Sequence, residues 1–226
     1  MTGWTQAILA TAAALGPRAA VTEAAGGASL SYGELARTVR QAARGLRKRG
    51  LRPGDPVAVL MRGGCHYPVA VHAVAAAGGT VVSPADPAGL AGLGARIMIT
   101  DLPGADALAQ EVDIRQVYSF ADLPGVASFH GLLGAGGPPE PAPPARAPTG
   151  APASRTVAGV RVSSGDVVLV TVADRRAYDP VLAAGAHLIA VCEPSPAGLR
   201  EAAARFGATL VIDAGPRVDR PFTPHP

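Results

Sequence analysis

Cys65 and His66 form the first pair in the chain whose residue types could do chemistry. A cysteine nucleophile needs its base within hydrogen-bond reach, and neighbours in sequence point their side chains apart on a helix or a strand. Cys65 follows Gly63-Gly64 at a strand-to-helix turn, the place where a reactive group can be held exposed. Its bland alternative is a small buried hydrophobe. His66 and His72 are six residues apart, the wrong helical spacing for one metal ion. His130 stands alone and reads as structural. Asp174 and Asp179 flank Arg175 and Arg176, which reads as a loop ion-pair cluster rather than an acid–base pair; with Tyr178 it could still form a small site. No G-x-S-x-G elbow is present. Gly89 to Gly94 carries spaced glycines but precedes a strand, whereas a dinucleotide fingerprint must follow a strand and open a helix.

The elements that must position these residues can be read from periodicity. Trp4, Ile8, Leu9, Ala12 and Leu15 fall at helical spacing and predict a packing helix rather than a signal peptide, since no basic residues precede them. Leu30 to Tyr32 is a short strand-like run. Ser31 then stands three residues before Glu34, the spacing of a capping box, and predicts a helix start. That helix carries Leu35, Val39, Ala42, Ala43 and Leu46 on one face and ends at Gly50. Pro53-Gly54-Asp55 is a turn. Val57 to Met61 reads as a strand buried on both faces, Tyr67 to Ala77 as a very apolar helix, and Thr80 to Val82 as the next strand, stopped by Pro84. Further on come a strand at 96–100, a turn and helix at 101–111, a strand at 114–120 and a last helical turn at 129–133. Residues 136–154 are a Pro-rich linker, extended and partly polyproline. This order predicts an α/β fold, a layered and mostly parallel sheet with helices on both faces.

Composition bounds the rest. The chain has 226 residues, 48% hydrophobic, 4% aromatic and 16% charged, so its core is built from Ala, Val and Leu. Net charge is +3, with Lys48 the single lysine. The basic face of the helix after Ser31 reads as solvated, and it lacks the interleaved aromatics of a single-strand binder; no nucleic acid is expected. Two cysteines make neither a disulfide framework nor a zinc site. No run is long enough to span a membrane, and a cytoplasmic setting is expected.

The blocks S-Y-G-E-L-A, G-L-R-P-G-D-P-V-A-V-L and A-V-A-A-A-G-G-T-V-V-S-P-A-D, in that order, resemble the opening of the AMP-forming ligases, the superfamily of acyl-CoA synthetases, adenylation domains and luciferases. Residues 166–212 are similar to a later part of the same large domain. The resemblance implies the large-domain subdomains of those enzymes, divided here as 1–135, the linker 136–154, a shortened second piece 155–213 and a tail 214–226. It also implies a phosphate loop ending T-G-x-P-K-G. Thr149-Gly150-Ala151-Pro152 keeps T-G-x-P and makes Thr149 and Gly150 candidate ligand-binding residues, but Ala153 replaces the lysine and Ser154 the glycine. Arg176 stands where the family has a histidine near the acyl pocket, and Tyr178 where it often has an aromatic. The helix around them is expected to be cut to about one turn. Nothing in the chain corresponds to the family's lid with its catalytic lysine.

The chain is therefore expected to use no cofactor, with neither ATP nor magnesium bound. Three readings follow: a catalytically degenerate relative that binds an acyl or aryl acid, an acyl-CoA or a carrier-bound acyl group; an accessory protein that docks on a pathway enzyme or on a second copy of itself; and a repurposed small enzyme not using ATP, with Cys65, His66, His130 or the Arg175, Arg176 and Tyr178 cluster as its site.

Overall fold

A computed structural model describes residues 3–83, 87–134, 154–157, 159–213 and 218–219. The linker from 136 to 153, with Thr149 and Gly150, and most of the tail lie outside the described residues.

Taken in order, the chain forms α1 (Gly3–Leu15), β1 (Ala19–Glu23), β2 (Ser29–Ser31), α2 (Tyr32–Lys48), β3 (Pro56–Leu60), α3 (His66–Ala77), β4 (Thr80–Val82), a 3-10 turn (Pro87–Leu90), β5 (Ile97–Thr100), α4 (Ala105–Glu111), β6 (Gln116–Ser119), β7 (Ala127–Ser128) and α5 (His130–Gly134). There follow β8 (Arg155–Val157), β9 (Val160–Val162), β10 (Val167–Val170), α6 (Arg175–Ala183), β11 (His187–Ala190), α7 (Pro196–Phe206), β12 (Leu210–Ile212) and β13 (Val218–Asp219). The α/β fold class is as expected.

The described residues divide into two compact units. Of these residues, the first takes 37–62, 69–83 and 87–134, and the second takes 3–36, 63–68, 154–157, 159–213 and 218–219. The units do not follow the linear division at the Pro-rich stretch. The reason is β1, which pairs parallel with β11 in the register Val21↔Leu188 and so carries the start of the chain into the sheet of residues 167–212.

The first unit is built on a five-stranded sheet in the order β4-β3-β5-β6-β7, with every pair parallel. Strands such as Ile97–Thr100 are buried at every position, as a parallel sheet covered on both faces requires. Below it, Ala58, Met98, Ala105, Ala109 and Ile114 form a continuous core. The apolar stripe of α2 is buried as its spacing predicts, with Leu35, Val39 and Ala42 fully covered and Leu46 likewise.

The second unit has a six-stranded sheet in the order β13-β12-β10-β11-β1-β2, parallel at its centre and antiparallel at both edges. The capping box is present: the Ser31 N–H donates to Glu34 Oε2 at 2.8 Å, and the Glu34 N–H donates to Ser31 Oγ at 3.2 Å. One expectation is corrected. α6 is not a single turn but nine residues long and runs through Leu182, with Pro180 inside it. Asp174 starts it by accepting the Arg176 N–H at 2.8 Å. Its burial on most sides, from Ala177 to Ala183, holds the helix together where proline removes one backbone donor.

Candidate functional site

Three parallel strands of the second unit, β1, β11 and β10, end on the same side of the sheet, and the crevice beyond carboxyl ends is where open α/β sheets place ligands. Glu23 closes β1, Cys192 lies just past β11, and Ala173 to Asp174 lie past β10. Gly63, Gly64 and Cys65 enter the same place. A side chain at Gly63 would meet the Tyr178 hydroxyl at 3.4 Å, Cys192 Sγ at 3.7 Å and Ala173 Cβ at 3.9 Å. A side chain at Gly64 would meet Glu23 Oε1 at 2.5 Å, and both glycines have positive φ, 122° and 82°. Two glycines in succession therefore let the backbone run against Glu23, Tyr178 and Cys192.

Cys65 stands at the entry to α3. Its N–H donates to Glu23 Oε1 at 2.9 Å and its thiol donates to the Ala28 carbonyl at 3.1 Å. The Glu23 carboxylate thus already occupies the helix N-terminus, where an anionic ligand would otherwise sit. The side chain is 1% exposed. Burial, reinforced by the Glu23 charge, pushes the thiol up to about 12, so it is protonated at neutral pH and is no nucleophile there. His66 is half-buried on the first turn of α3, and the structure gives Cys65 carboxylate and carbonyl partners rather than an imidazole.

The three candidates on α6 point in different directions. The Arg175 guanidinium donates to Asp179 Oδ2 from Nε at 3.1 Å and from its terminal nitrogen at 2.9 Å, and Asp179 is 2% exposed. This pair lies one helical turn apart, so the expected ion pairing is present but on a helix rather than in a loop. Arg176 is exposed. Tyr178 is buried and packs edge-on against Tyr67 at 5.0 Å. Burial holds both phenols above their ordinary range; a nearby Cys192 adds to the effect for Tyr178, and Asp174 and Asp179 for Tyr67. The sequence-derived candidates therefore divide: Cys65 and Tyr178 meet at Gly63-Gly64, Arg175 is taken by Asp179, and Arg176 stands apart. His130 is exposed in the first unit, its ring edge-on to Phe120 at 6.4 Å. Among the described residues, no group of three metal-ligating side chains comes together, and no helix is long and apolar enough to cross a membrane.

A polar chain of three residues was not legible in the sequence, because its members come from positions 22, 29 and 187. Thr22 Oγ1 lies 2.8 Å from His187 Nε2 and 2.9 Å from Ser29 Oγ. The Ser29 hydroxyl donates to the Val21 carbonyl at 3.2 Å. With the Ser29 proton on the Val21 carbonyl, Ser29 accepts from Thr22 and Thr22 from an Nε2–H of His187; with that proton on Thr22, the order reverses and Nε2 accepts. In a nucleophile–base pair the hydroxyl would donate to the ring. In either direction this chain ties β1, β2 and β11 together. Burial, with Arg18 adding, holds the His187 imidazole below its usual value.

Glu23, Gly63, Gly64, Tyr67, Tyr178 and Cys192 thus pack together at the strand ends, with Tyr67 and Tyr178 buried and Cys192 exposed. Residues 9–99 match the AMP-binding enzyme family. No curated protein sequence matches the chain. Among solved structures, a long-chain-fatty-acid-CoA ligase from Archaeoglobus fulgidus is similar at a TM-score of 0.71 and 13% identity, covering 92% of this chain and 50% of its own. A benzoate CoA ligase from Burkholderia xenovorans is similar at a TM-score of 0.67 and 19% identity, covering 93% and 50%. The amide bond synthetase McbA from Marinactinospora thermotolerans gives a TM-score of 0.66 at 21% identity, covering 92% and 48%. At these identities the likeness establishes the fold, and the chain spans about half the length of these three proteins. The resemblance drawn from the opening blocks is borne out.

Proposed function

Starting from an opening segment that matches AMP-binding enzymes and a fold shared with acyl- and aryl-acid ligases, we propose that this chain is a catalytically degenerate relative that binds an acyl or aryl acid, its CoA thioester or a carrier-bound acyl group, without ATP chemistry. The observation that carries this reading is the fate of Arg175. It is the cation of α6 closest in sequence to the strand end, and its guanidinium is held by Asp179 at 2.9 Å, so it is not offered to a polyphosphate. What the strand ends hold instead is the buried edge-on pair of Tyr67 and Tyr178 beside the Gly63-Gly64 backbone, side chains of the kind an acyl chain or an aromatic ring would pack against. The replacement of lysine by Ala153 and of glycine by Ser154 after Thr149-Gly150-Ala151-Pro152 supports the same reading, because backbone approach and a cation both serve phosphate binding.

Calorimetric titration of the purified chain with ATP and magnesium, AMP, CoA, benzoate and a short acyl-CoA tests it. The expected result is heat from an acyl, aryl or CoA compound and none from ATP. Binding of the acyl or aryl part should weaken in Tyr178→Ala. Tight binding of ATP with magnesium would overturn the proposal and return an adenylating enzyme to the front. Silence throughout would overturn it in favour of a protein partner.

A further inference from the structure

The first unit contains an open cleft of about 980 Å³ that the proposed function does not use. It lies among the last turn of α2, the face of α4, the start of β6 and the edge strand β7. Its charged lining consists of Lys48, Arg49 and Arg115 against a single acid, Asp106.

Two of the cations are held there by their backbones alone. The Arg49 N–H bonds back into α2, to the carbonyls of Gly45 at 3.0 Å and Leu46 at 3.1 Å, and the Arg49 carbonyl accepts the Gln116 amide Nε2–H at 3.1 Å. Gln116 is in turn fixed by the Tyr118 hydroxyl, which donates to its Oε1 at 2.8 Å. The Arg115 and Gln116 N–H groups both donate to the Arg96 carbonyl at 3.1 Å. Among the described residues, neither the Arg49 nor the Arg115 guanidinium has a hydrogen bond or an ion pair. Gathering like charges beside one cleft is unfavourable unless a counter-charge joins them, and two planar forks with rigid bases suit an oxyanion that accepts paired hydrogen bonds.

The body of the cleft is mixed. Ile114, Val117 and Ala109 give it an apolar floor, and Gln110 and Ser128 give it hydroxyl and amide groups. Tyr118 is its one aromatic, and its hydroxyl is already committed to Gln116, so no pair of rings is present to sandwich a base. The volume falls in the range of small-molecule sites.

We propose that this cleft is a binding site for a small phosphorylated metabolite, with Arg49 and Arg115 gripping the phosphate and Gln110 and Ser128 meeting a polar body. It is separate from the strand-end site of the second unit, and its test does not depend on that site.

The test is a backbone-amide NMR titration with glycerol 3-phosphate, inorganic phosphate and succinate, each against sodium chloride of equal ionic strength. Saturable shifts confined to residues around 48–50, 110, 114–118 and 128, with the organic phosphate tighter than inorganic phosphate, are expected. In the double variant R49Q/R115Q binding should weaken by about tenfold or more, as loss of charge-assisted hydrogen bonds implies. Both arginines are carried at exposed positions or at a strand entry, and an unchanged far-ultraviolet circular dichroism spectrum confirms that the variant folds. If that spectrum changes, the single variants R49Q and R115Q serve in its place. Shifts that chloride reproduces, that spread over the arginines of α2 in general, or that persist in the variants would overturn the site. Succinate binding as well as glycerol 3-phosphate would overturn the phosphate assignment.

Discussion

At the scale of single residues, Cys65 shows how a sequence feature that suggests chemistry can be built for structure. Its position after Gly63-Gly64 was legible, and so was the strand-to-helix turn. What was not legible is Glu23, which lies 42 positions earlier and accepts the Cys65 N–H. Burial, reinforced by that carboxylate, pushes the thiol up to about 12. The sign is direct: the reactive thiolate forms only as pH rises through that value, so Cys65 stays inert through the neutral and mildly alkaline range. Cys192 is exposed. Iodoacetamide at pH 8 should therefore alkylate Cys192 in the folded chain and reach Cys65 only after addition of denaturant, as read by mass spectrometry of the two peptides. Equal labelling of both in the folded state would show that the Glu23 and Ala28 contacts do not hold the thiol. Arg175 makes the same point in a different way. The spacing Arg175 to Asp179 suggested an ion pair, and the pair is there, but only the helix makes it geometrically close.

Elements were legible where a long period repeats and obscure where a strand is short. The stripe of α2, its capping box and its Gly50 terminus all follow from the sequence, because seventeen residues give the 3.6-residue period room to repeat. β7, β8 and β9 have two or three residues each, too few for any period to show in the sequence. The resemblance to the ligases implies about one turn at α6, whereas the helix runs nine residues and its burial accommodates Pro180 within it. Gly45 gives a test at this scale. It lies inside α2, where glycine is worse than alanine by about 1 kcal/mol in propensity alone. A Cβ there would sit 2.2 Å from the Leu132 carbonyl oxygen in α5, a contact no real Cβ makes. Gly45→Ala should then destabilise the chain by about 1–3 kcal/mol, since overpacking outweighs propensity. Urea unfolding followed by circular dichroism measures it. A gain near the propensity value instead would mean that α5 does not lie against α2 as described.

At the scale of the whole molecule, what the sequence could not show is which distant segments share a sheet. A linear reading divides the chain at its Pro-rich stretch, and the compositional break there is real. Pairing crosses it nonetheless. β1 hydrogen-bonds to β11, the Thr11 hydroxyl of α1 donates to the Ala183 carbonyl at 3.0 Å, and the Tyr32 hydroxyl bonds the carbonyls of Ala186 at 2.8 Å and Leu182 at 3.1 Å. Tyr32 is fully buried in doing so, and burial raises its phenol above the ordinary range. Without the first 36 residues, β11 becomes an edge strand and α6 loses the helix that covers it, leaving apolar surface and paired carbonyls open to water. A fragment of residues 155–226 should for this reason show no cooperative urea transition and should bind a hydrophobic dye. Addition of a fragment of residues 1–135 should restore a cooperative transition and suppress the dye signal, because it supplies α1, β1 and Tyr32. In the same mixture, Tyr32→Ala in the longer fragment should impair restoration, since it removes both carbonyl contacts and a large buried ring at once. If residues 155–226 unfold cooperatively on their own, the linear division is the physical one and β1 is an accessory edge to a sheet already complete without it.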